Sequence, residues 1–149
     1  MTIRKRTLAR ELAMQVLYQL DVQGSQMTDK EIEHALHEQG SDPETLSYAR
    51  ETVFGYRENK SHIDGKIEDV AKNWELKRMS FIDRNIIRLA AYEMLFRADI
   101  PPLVAINEAI ELAKKFGSKH SGPFVNGILD NIRRKFEGEA VVSGNSRKT

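Results

Sequence analysis

The sequence predicts an all-α protein, a single domain of about seven helices packed as two small helical bundles. Three observations lead to this prediction. Apolar residues recur at helical spacing along most of the chain, capping residues and short polar connections separate these segments, and no segment shows the alternation of a strand. The 149 residues, 40% of them apolar and 30% charged, are enough for one hydrophobic core.

Four helices are predicted in the first half of the chain. The first spans residues 7–20, where apolar side chains recur every four positions, and Gly24 ends it. The second and third begin at capping-box patterns, Thr28 with Glu31 and Ser41 with Glu44. The fourth is predicted from an apolar stripe formed by Ile63, Ile67, Val70, Ala71 and Trp74.

The fifth and sixth helices are predicted from start and stop signals. Ser80 and Asp83 begin the fifth helix, with Asp83 as a capping carboxylate, and the pair Pro101-Pro102 ends it. Gly117 closes the sixth helix at the position that a left-handed cap favours.

The seventh helix is predicted over residues 121–136. Gly127 lies inside it, where glycine costs about 1 kcal/mol relative to alanine. A close helix crossing is the expected compensation, and close approach of a ligand backbone is the functional alternative. From Glu137 the sequence lacks periodicity, so we expect a helical domain at residues 1–136 and a disordered tail at residues 137–149.

Composition and motifs predict no catalytic residue, cofactor or metal site. The absence of cysteine excludes a disulfide framework and favours a cytoplasmic location, and no apolar stretch approaches the roughly 20 residues that span a membrane. Glu31 and His34 have the spacing of a di-iron element, but such sites need a second copy and further glutamates. A solvated helix face explains these residues better.

The charge distribution suggests a binding function. The formal net charge is only +1, yet the first ten residues contain Arg4, Lys5, Arg6 and Arg10 and no acid. Arg6 and Arg10 are four residues apart and share a helix face, while Arg4 and Lys5 extend the charge into a preceding arm. Such groups suit phosphates. Residues 29–51 form a distant acidic segment.

The loop before the seventh helix adds a second cationic segment. It contains Lys119 and His120, and Phe124 follows. A cation beside an aromatic ring suits single-stranded RNA, although core packing explains Phe124 equally well. We expect both cationic segments to lie on a single exposed surface.

Two segments resemble the NusB transcription antitermination family. The first is RKRTLARELAMQVLYQLD from Arg4; the second begins at Asp83 and includes VAINEAIELAKKFG followed by FVNGILD. The resemblance covers residues 4 to about 135 in order. It implies an all-helical RNA-binding protein, not an enzyme. Such a protein binds boxA RNA of ribosomal RNA leaders together with the ribosomal protein NusE and helps RNA polymerase ignore terminators.

The resemblance also assigns residues to these roles. It puts RNA contacts at Arg4, Lys5, Arg6 and Arg10 and in the loop from Lys119 to Phe124, including His120. It puts NusE contacts at Tyr18 and Asp83. This chain has Lys119 and His120 where many members have acids, and Pro123 where many have lysine.

Two other functions are weighed against RNA binding. In one, the chain acts mainly through protein contacts and the partner holds the RNA. In the other, ranked low, it is the RNA-targeting module of a methyltransferase, for which 149 residues leave no room for a cofactor fold. The sequence leaves open whether the protein is a monomer or a homodimer.

Overall fold

A computed structural model describes residues 1–24, 26–40, 42–72 and 74–148, with side chains as far as Phe136. Within this part of the chain there are seven α-helices, one short 3-10 helix and no strand. The helices are α1 (Ile3–Val22), α2 (Asp29–Glu38), α3 (Pro43–Glu58), α4 (Lys60–Ala71), the 3-10 helix (Leu76–Arg78), α5 (Phe81–Phe96), α6 (Pro102–Phe116) and α7 (Ser121–Lys148). The prediction of an all-α fold with seven helices is confirmed.

The helix starts follow the capping chemistry of the sequence, with two corrections. The capping box of Thr28 and Glu31 is present at α2. Thr2 caps α1 by accepting a hydrogen bond from the Lys5 amide at 3.1 Å, so the basic residues belong to the helix and not to a preceding arm. At α3 the cap is Asp42, which accepts from the Thr45 amide at 3.0 Å, and Ser41 lies outside the described residues.

The helix α5 is the centre of the fold. Every residue from Asn85 to Leu95 is buried, and α5 contacts α1, α3, α4, α6 and α7. A helix that is buried on all sides needs neighbours on all sides. The helices α1, α2 and α3 pack against one another, as do α6 and α7, and both α5 and α4 contact helices of each group.

The ends of α5 and α6 differ from the prediction. The helix α5 ends at Phe96, before the two prolines, and Pro102 instead opens α6, where proline is well suited to the first turn. Gly117 has a φ of −97°, so its cap is not left-handed. A Cβ at this position would lie 2.8 Å from the Ala113 carbonyl oxygen, which means that close packing requires the glycine.

Two predictions concern α7: the packing of Gly127 and the disordered tail. A Cβ at Gly127 would meet no atom within 4 Å, so the predicted close helix crossing is wrong. The glycine that does lie against a neighbour is Gly55, where an added Cβ would overlap the Tyr92 ring. The backbone of α7 is helical to Lys148, beyond the predicted end at residue 136, while side chains are described only as far as Phe136, and the disorder of the tail at residues 137–149 stays a prediction.

Candidate nucleic-acid interface

Arg10, predicted to contact phosphates, is instead buried. Its side chain is 3% exposed, and its Nε donates to both carboxylate oxygens of the fully buried Glu93, at 3.1 and 2.9 Å. Its Nη1 lies 3.0 Å from Glu108, and its Nη2 donates to the Tyr48 hydroxyl at 3.2 Å. With its donors used in this way and water excluded, the guanidinium is not available to RNA, and the predicted contact at Arg10 is corrected.

The cluster around Arg10 fixes the first half of α1 against the core. Burial alone would lower the pKa of the Arg10 guanidinium, but the charge and hydrogen bonds of Glu93 raise it above its usual value, so the arginine stays charged. Burial also raises the pKa of Tyr48, whose hydroxyl donates to Glu93 at 2.8 Å. These bonds join α1, α3 and α5 through one buried ion pair.

A second ionic cluster fixes the other end of α1. Asp21 accepts from Arg84 at 2.8 Å, from Asn85 at 2.8 Å and from Arg88 at 3.2 Å, all on α5. Burial raises the pKa of Asp21, but the hydrogen bonds from Arg84 and Asn85 outweigh it and lower the pKa below the usual value. The helix α1 is therefore attached to α5 at Arg10, near its middle, and at Asp21, next to its last residue.

The three remaining basic residues of α1 differ in their surroundings. Arg4 is exposed and makes no ion pair with any described residue. Lys5 lies 3.5 Å from Glu44 and 3.8 Å from Asp42, at the start of α3. The guanidinium of Arg6 lies 5.5 Å from the centre of the Tyr48 ring. The acidic segment that is distant in sequence therefore contacts the basic one, and the local positive charge is smaller than the sequence suggests.

Contacts between α1 and α6 bear on how close the two predicted cationic segments lie, since one is at the start of α1 and the other follows α6. Thr7 donates to Glu108 at 2.7 Å, and Lys115 forms an ion pair with Glu11. Side chains of α6 therefore reach α1 at two positions, and the loop with Lys119 follows the end of α6 directly. From Arg4 to Glu11 the distance along α1 is about 10 Å. That Lys119 and His120 share one exposed surface with the first turn of α1 stays a prediction.

The loop before α7 presents its charges to solvent. Lys119 and His120 are exposed, and Lys119 has no ion pair with a described residue. The loop is held by Ser121, whose hydroxyl accepts from the Ser118 amide at 3.0 Å. Phe124 is partly buried against the core, so the structure supports the packing role and leaves part of the ring accessible.

A tryptophan beside Phe124 was not predicted as part of this site. The sequence placed Trp74 on the apolar face of the fourth helix, but α4 ends at Ala71 and Trp74 is 51% exposed. Its ring meets the Phe124 ring edge to face, with centroids 5.8 Å apart. The signal that could have revealed this is the polar surroundings of Trp74, which follows Lys72 and Asn73 and precedes Glu75.

The two residues predicted to contact the partner protein lie near each other. Tyr18 of α1 is 36% exposed and meets the Phe81 ring of α5 edge to face at 5.9 Å. Asp83 follows two residues later. The cap of α5 is the Ser80 hydroxyl, which accepts from the Asp83 amide at 3.0 Å. The Asp83 Oδ1 atom is buried with no hydrogen-bond partner among the described residues, which corrects its predicted role as a capping carboxylate.

In the described part of the chain, no three or more histidine, cysteine or acidic side chains are grouped so that they could hold a metal ion. Among the described helices, none is both long and apolar enough to cross a membrane.

Comparisons with known proteins give the family. The family model described as the NusB family matches residues 7–134. The transcription antitermination protein NusB of Desulfitobacterium hafniense (strain DSM 10664 / DCB-2) is 47% identical over 128 residues, 85% of this chain and 86% of that protein.

Solved structures agree with this family. NusB of T. maritima has a TM-score of 0.81 and 39% identity, covering 95% of this chain and 98% of that one. The NusB chain in a crystal structure of the antitermination factors NusB and NusE with dsRNA has a TM-score of 0.79 and 28% identity, covering 89% of this chain and 98% of its own. With a family model matched over most of its length and a relative this similar, the chain belongs to the NusB family.

Proposed function

We propose that this protein is a transcription antitermination factor that binds boxA RNA of ribosomal RNA leaders together with NusE. The observation on which this rests is the match to the NusB family over residues 7–134. Its relatives are named transcription antitermination proteins, so the protein is a binding factor and not an enzyme. It acts within the RNA polymerase antitermination complex, in the cytoplasm.

The structure supports an RNA surface that begins at the first turn of α1 and continues to the loop before α7. Arg4, Lys5 and Arg6 supply phosphate contacts, and Lys119 and His120 supply a second set. Arg10 contributes by fixing α1 and not by touching RNA. Because Lys5 shares its charge with Glu44 and Asp42, few cations are left for phosphates, and RNA affinity in the absence of a partner is modest.

The NusE surface is centred on Tyr18 and Asp83. An exposed tyrosine beside Phe81 offers the aromatic contact area that is common at protein interfaces. The buried Asp83 Oδ1 atom has no hydrogen-bond partner in the described structure, and a rotation of this side chain that exposes the atom would let a donor on NusE satisfy it. A structure of NusB and NusE with dsRNA shows that a NusB protein forms such an assembly.

A second function is favoured by the buried Arg10 and by the ion pairs of Lys5. With two of four predicted cations so engaged, the chain would act chiefly through protein contacts while NusE holds the RNA. Titration of a labelled boxA RNA with this protein alone, and then with NusE present, separates the two functions. Binding by the protein alone, or binding with NusE that is tighter than that of NusE alone, supports the proposed function; binding by NusE that this protein leaves unchanged contradicts it.

Charge-removing variants locate the RNA surface. Arg4→Ala and Lys119→Ala are each expected to lower the slope of log affinity against log salt by about 0.7, the value for one phosphate contact on a single strand. The matched control is Lys30→Ala, because Lys30 is an exposed cation on α2. Equal slopes for all three variants and the original protein would remove α1 and the loop from the RNA site. Sedimentation of the free and RNA-bound protein tests whether a homodimer forms.

A further inference from the structure

We propose that Trp74 is the main base-stacking side chain of the RNA site, with Phe124 as the ring that supports it. This inference rests on the proposed function, since it assigns a new residue to the same RNA surface. Three features of Trp74 support it: its exposure, its contact with Phe124, and the position of both rings beside the cations of the loop.

The exposure of Trp74 is the first observation. About half of this large side chain is accessible to solvent, at 51%, although the protein buries Tyr48, Tyr56 and Tyr92 almost completely. An exposed tryptophan leaves apolar surface in water, which is unfavourable unless a ligand covers it. Nucleobases are such ligands because each has a π-face that stacks on an aromatic ring.

The contact with Phe124 is the second observation. The two ring centroids are 5.8 Å apart with an interplanar angle of 73°. Phe124 itself packs against the hydrophobic core and is only partly exposed. Phe124 therefore holds the indole in place from the core side while Trp74 offers the larger accessible surface. A ring held in this way loses little conformational entropy when a base stacks on it.

The path of the chain brings these rings next to the cationic loop. The amide of Phe124 donates to the His120 carbonyl oxygen at 3.2 Å, so His120 and Lys119 lie one helical turn before Phe124. The chain leaves α4 at Lys72, an exposed cation with a φ of 45°, and Trp74 meets Phe124 of α7. An aromatic ring with cations nearby is the combination that binds single-stranded RNA.

The alternative occupant is a protein surface, and the charges argue against it. In the segment from Lys72 to Arg78, Lys77 lies 3.3 Å from Glu75, which leaves Lys72 and Arg78 as its net cations, and the loop adds Lys119. Cations around an aromatic ring are better matched to a backbone of phosphates than to the apolar centre of a protein interface. Protein binding at Trp74 is an outcome that the experiment below detects.

Because the sequence contains one tryptophan, intrinsic tryptophan fluorescence reports on Trp74 alone. A boxA-containing single-stranded RNA is expected to quench this fluorescence, with a midpoint equal to that measured by anisotropy of the labelled RNA. Inorganic polyphosphate, which has charge and no bases, is expected to bind the cations without quenching. Equal quenching by polyphosphate, or RNA binding without quenching, would overturn the inference.

Substitutions at Trp74 provide a second test of its role in stacking. Trp74→Ala is expected to weaken RNA binding about 5- to 150-fold, equivalent to about 1–3 kcal/mol for one stacked base, and to leave the salt slope unchanged. Trp74→Phe keeps a ring and is expected to retain most of the affinity. The control is Val22→Ala, which shortens another exposed apolar side chain at the end of α1. Circular dichroism confirms that each variant is folded.

The outcomes separate this inference from the proposed function. If Arg4→Ala and Lys119→Ala change the salt slope while Trp74→Ala binds RNA as the original protein does, the RNA surface stands and the role of Trp74 is wrong. If the original protein binds no RNA with or without NusE, both fail. If Trp74→Ala weakens binding of NusE and not of RNA, Trp74 belongs to a protein interface and the inference is overturned.

Discussion

Replacing Arg10 with methionine separates a structural role of this arginine from a role in RNA binding. Arg10 is 3% exposed, and its Nε donates to both oxygens of the fully buried Glu93. Methionine has a similar length but no charge and no donor. In the Arg10→Met protein, the Glu93 carboxylate keeps the hydrogen bond from the Tyr48 hydroxyl, at 2.8 Å, and loses the cation that balances its charge.

The structure sets the size of the effect. Removing one partner of a buried ion pair costs about 3–5 kcal/mol, because the remaining charge stays buried without compensation. A domain of this kind has a total stability of about 5–15 kcal/mol, so the variant is expected to fold with a strongly reduced free energy of unfolding. Because Glu93 is fully buried, we expect a loss of unfolding free energy near the upper end of this range.

Urea denaturation followed by circular dichroism measures this loss. The double variant Arg10→Met with Glu93→Gln is the matched comparison, since glutamine can still accept from Tyr48 and no longer buries a charge. It is expected to be more stable than Arg10→Met alone. The RNA salt slope of the folded Arg10→Met protein is expected to equal that of the original protein, because a buried guanidinium contacts no phosphate.

The opposite pattern would refute this reasoning. An Arg10→Met protein with unchanged stability and a salt slope lowered by about 0.7 would mean that Arg10 leaves the cluster and contacts RNA. A double variant less stable than Arg10→Met would mean that the buried charge of Glu93 is not the source of the loss.

Three further predictions concern the helices around the site. Gly127→Ala is expected to raise stability by about 0.5–1 kcal/mol and the Tm by a few degrees, measured by thermal unfolding, since its Cβ meets open space; weaker RNA binding would indicate a ligand backbone at Gly127. Asp21→Asn is expected to cost about 3–5 kcal/mol at pH 7 in urea denaturation. Because the pKa of Asp21 is lowered in the folded protein, its contribution is present above the unfolded pKa of about 4 and is lost as pH falls through the folded pKa, so the difference from the original protein should shrink near pH 3. Glu44→Gln is expected to free Lys5 and strengthen RNA binding up to about fivefold by anisotropy, and unchanged affinity would exclude Lys5 from the RNA contacts.

Local features of the sequence predicted the helices but not every one of their ends. Apolar periodicity and the Thr28 capping box depend on residues within a few positions of one another, so they are visible in sequence. The end of α4 was missed because the chain turns at Lys72 with a φ of 45°, and the apolar spacing continues past it to Trp74. Trp74 therefore looked like a core residue.

For a different reason, the sequence could not show which charged side chains are buried or paired and which are exposed. Arg10 and Glu93 are separated by 83 residues, and only the packing of α1 on α5 brings them together. Lys5 and Glu44 are likewise 39 residues apart. A basic run in sequence indicates how many cations are present, but long-range contacts decide which of them reach solvent.

The basic helix therefore combines two kinds of cation with different tasks. Arg10 is buried and, with Asp21 at the other end, attaches α1 to α5, while Arg4 remains exposed on the first turn. A binding helix that is attached to the core at two points is already ordered before RNA binds, so binding costs less free energy for ordering the protein. If this is correct, variants at Arg10 and Asp21 weaken RNA binding only as far as they lower the folded fraction. Variants at Arg4 weaken it in the fully folded protein.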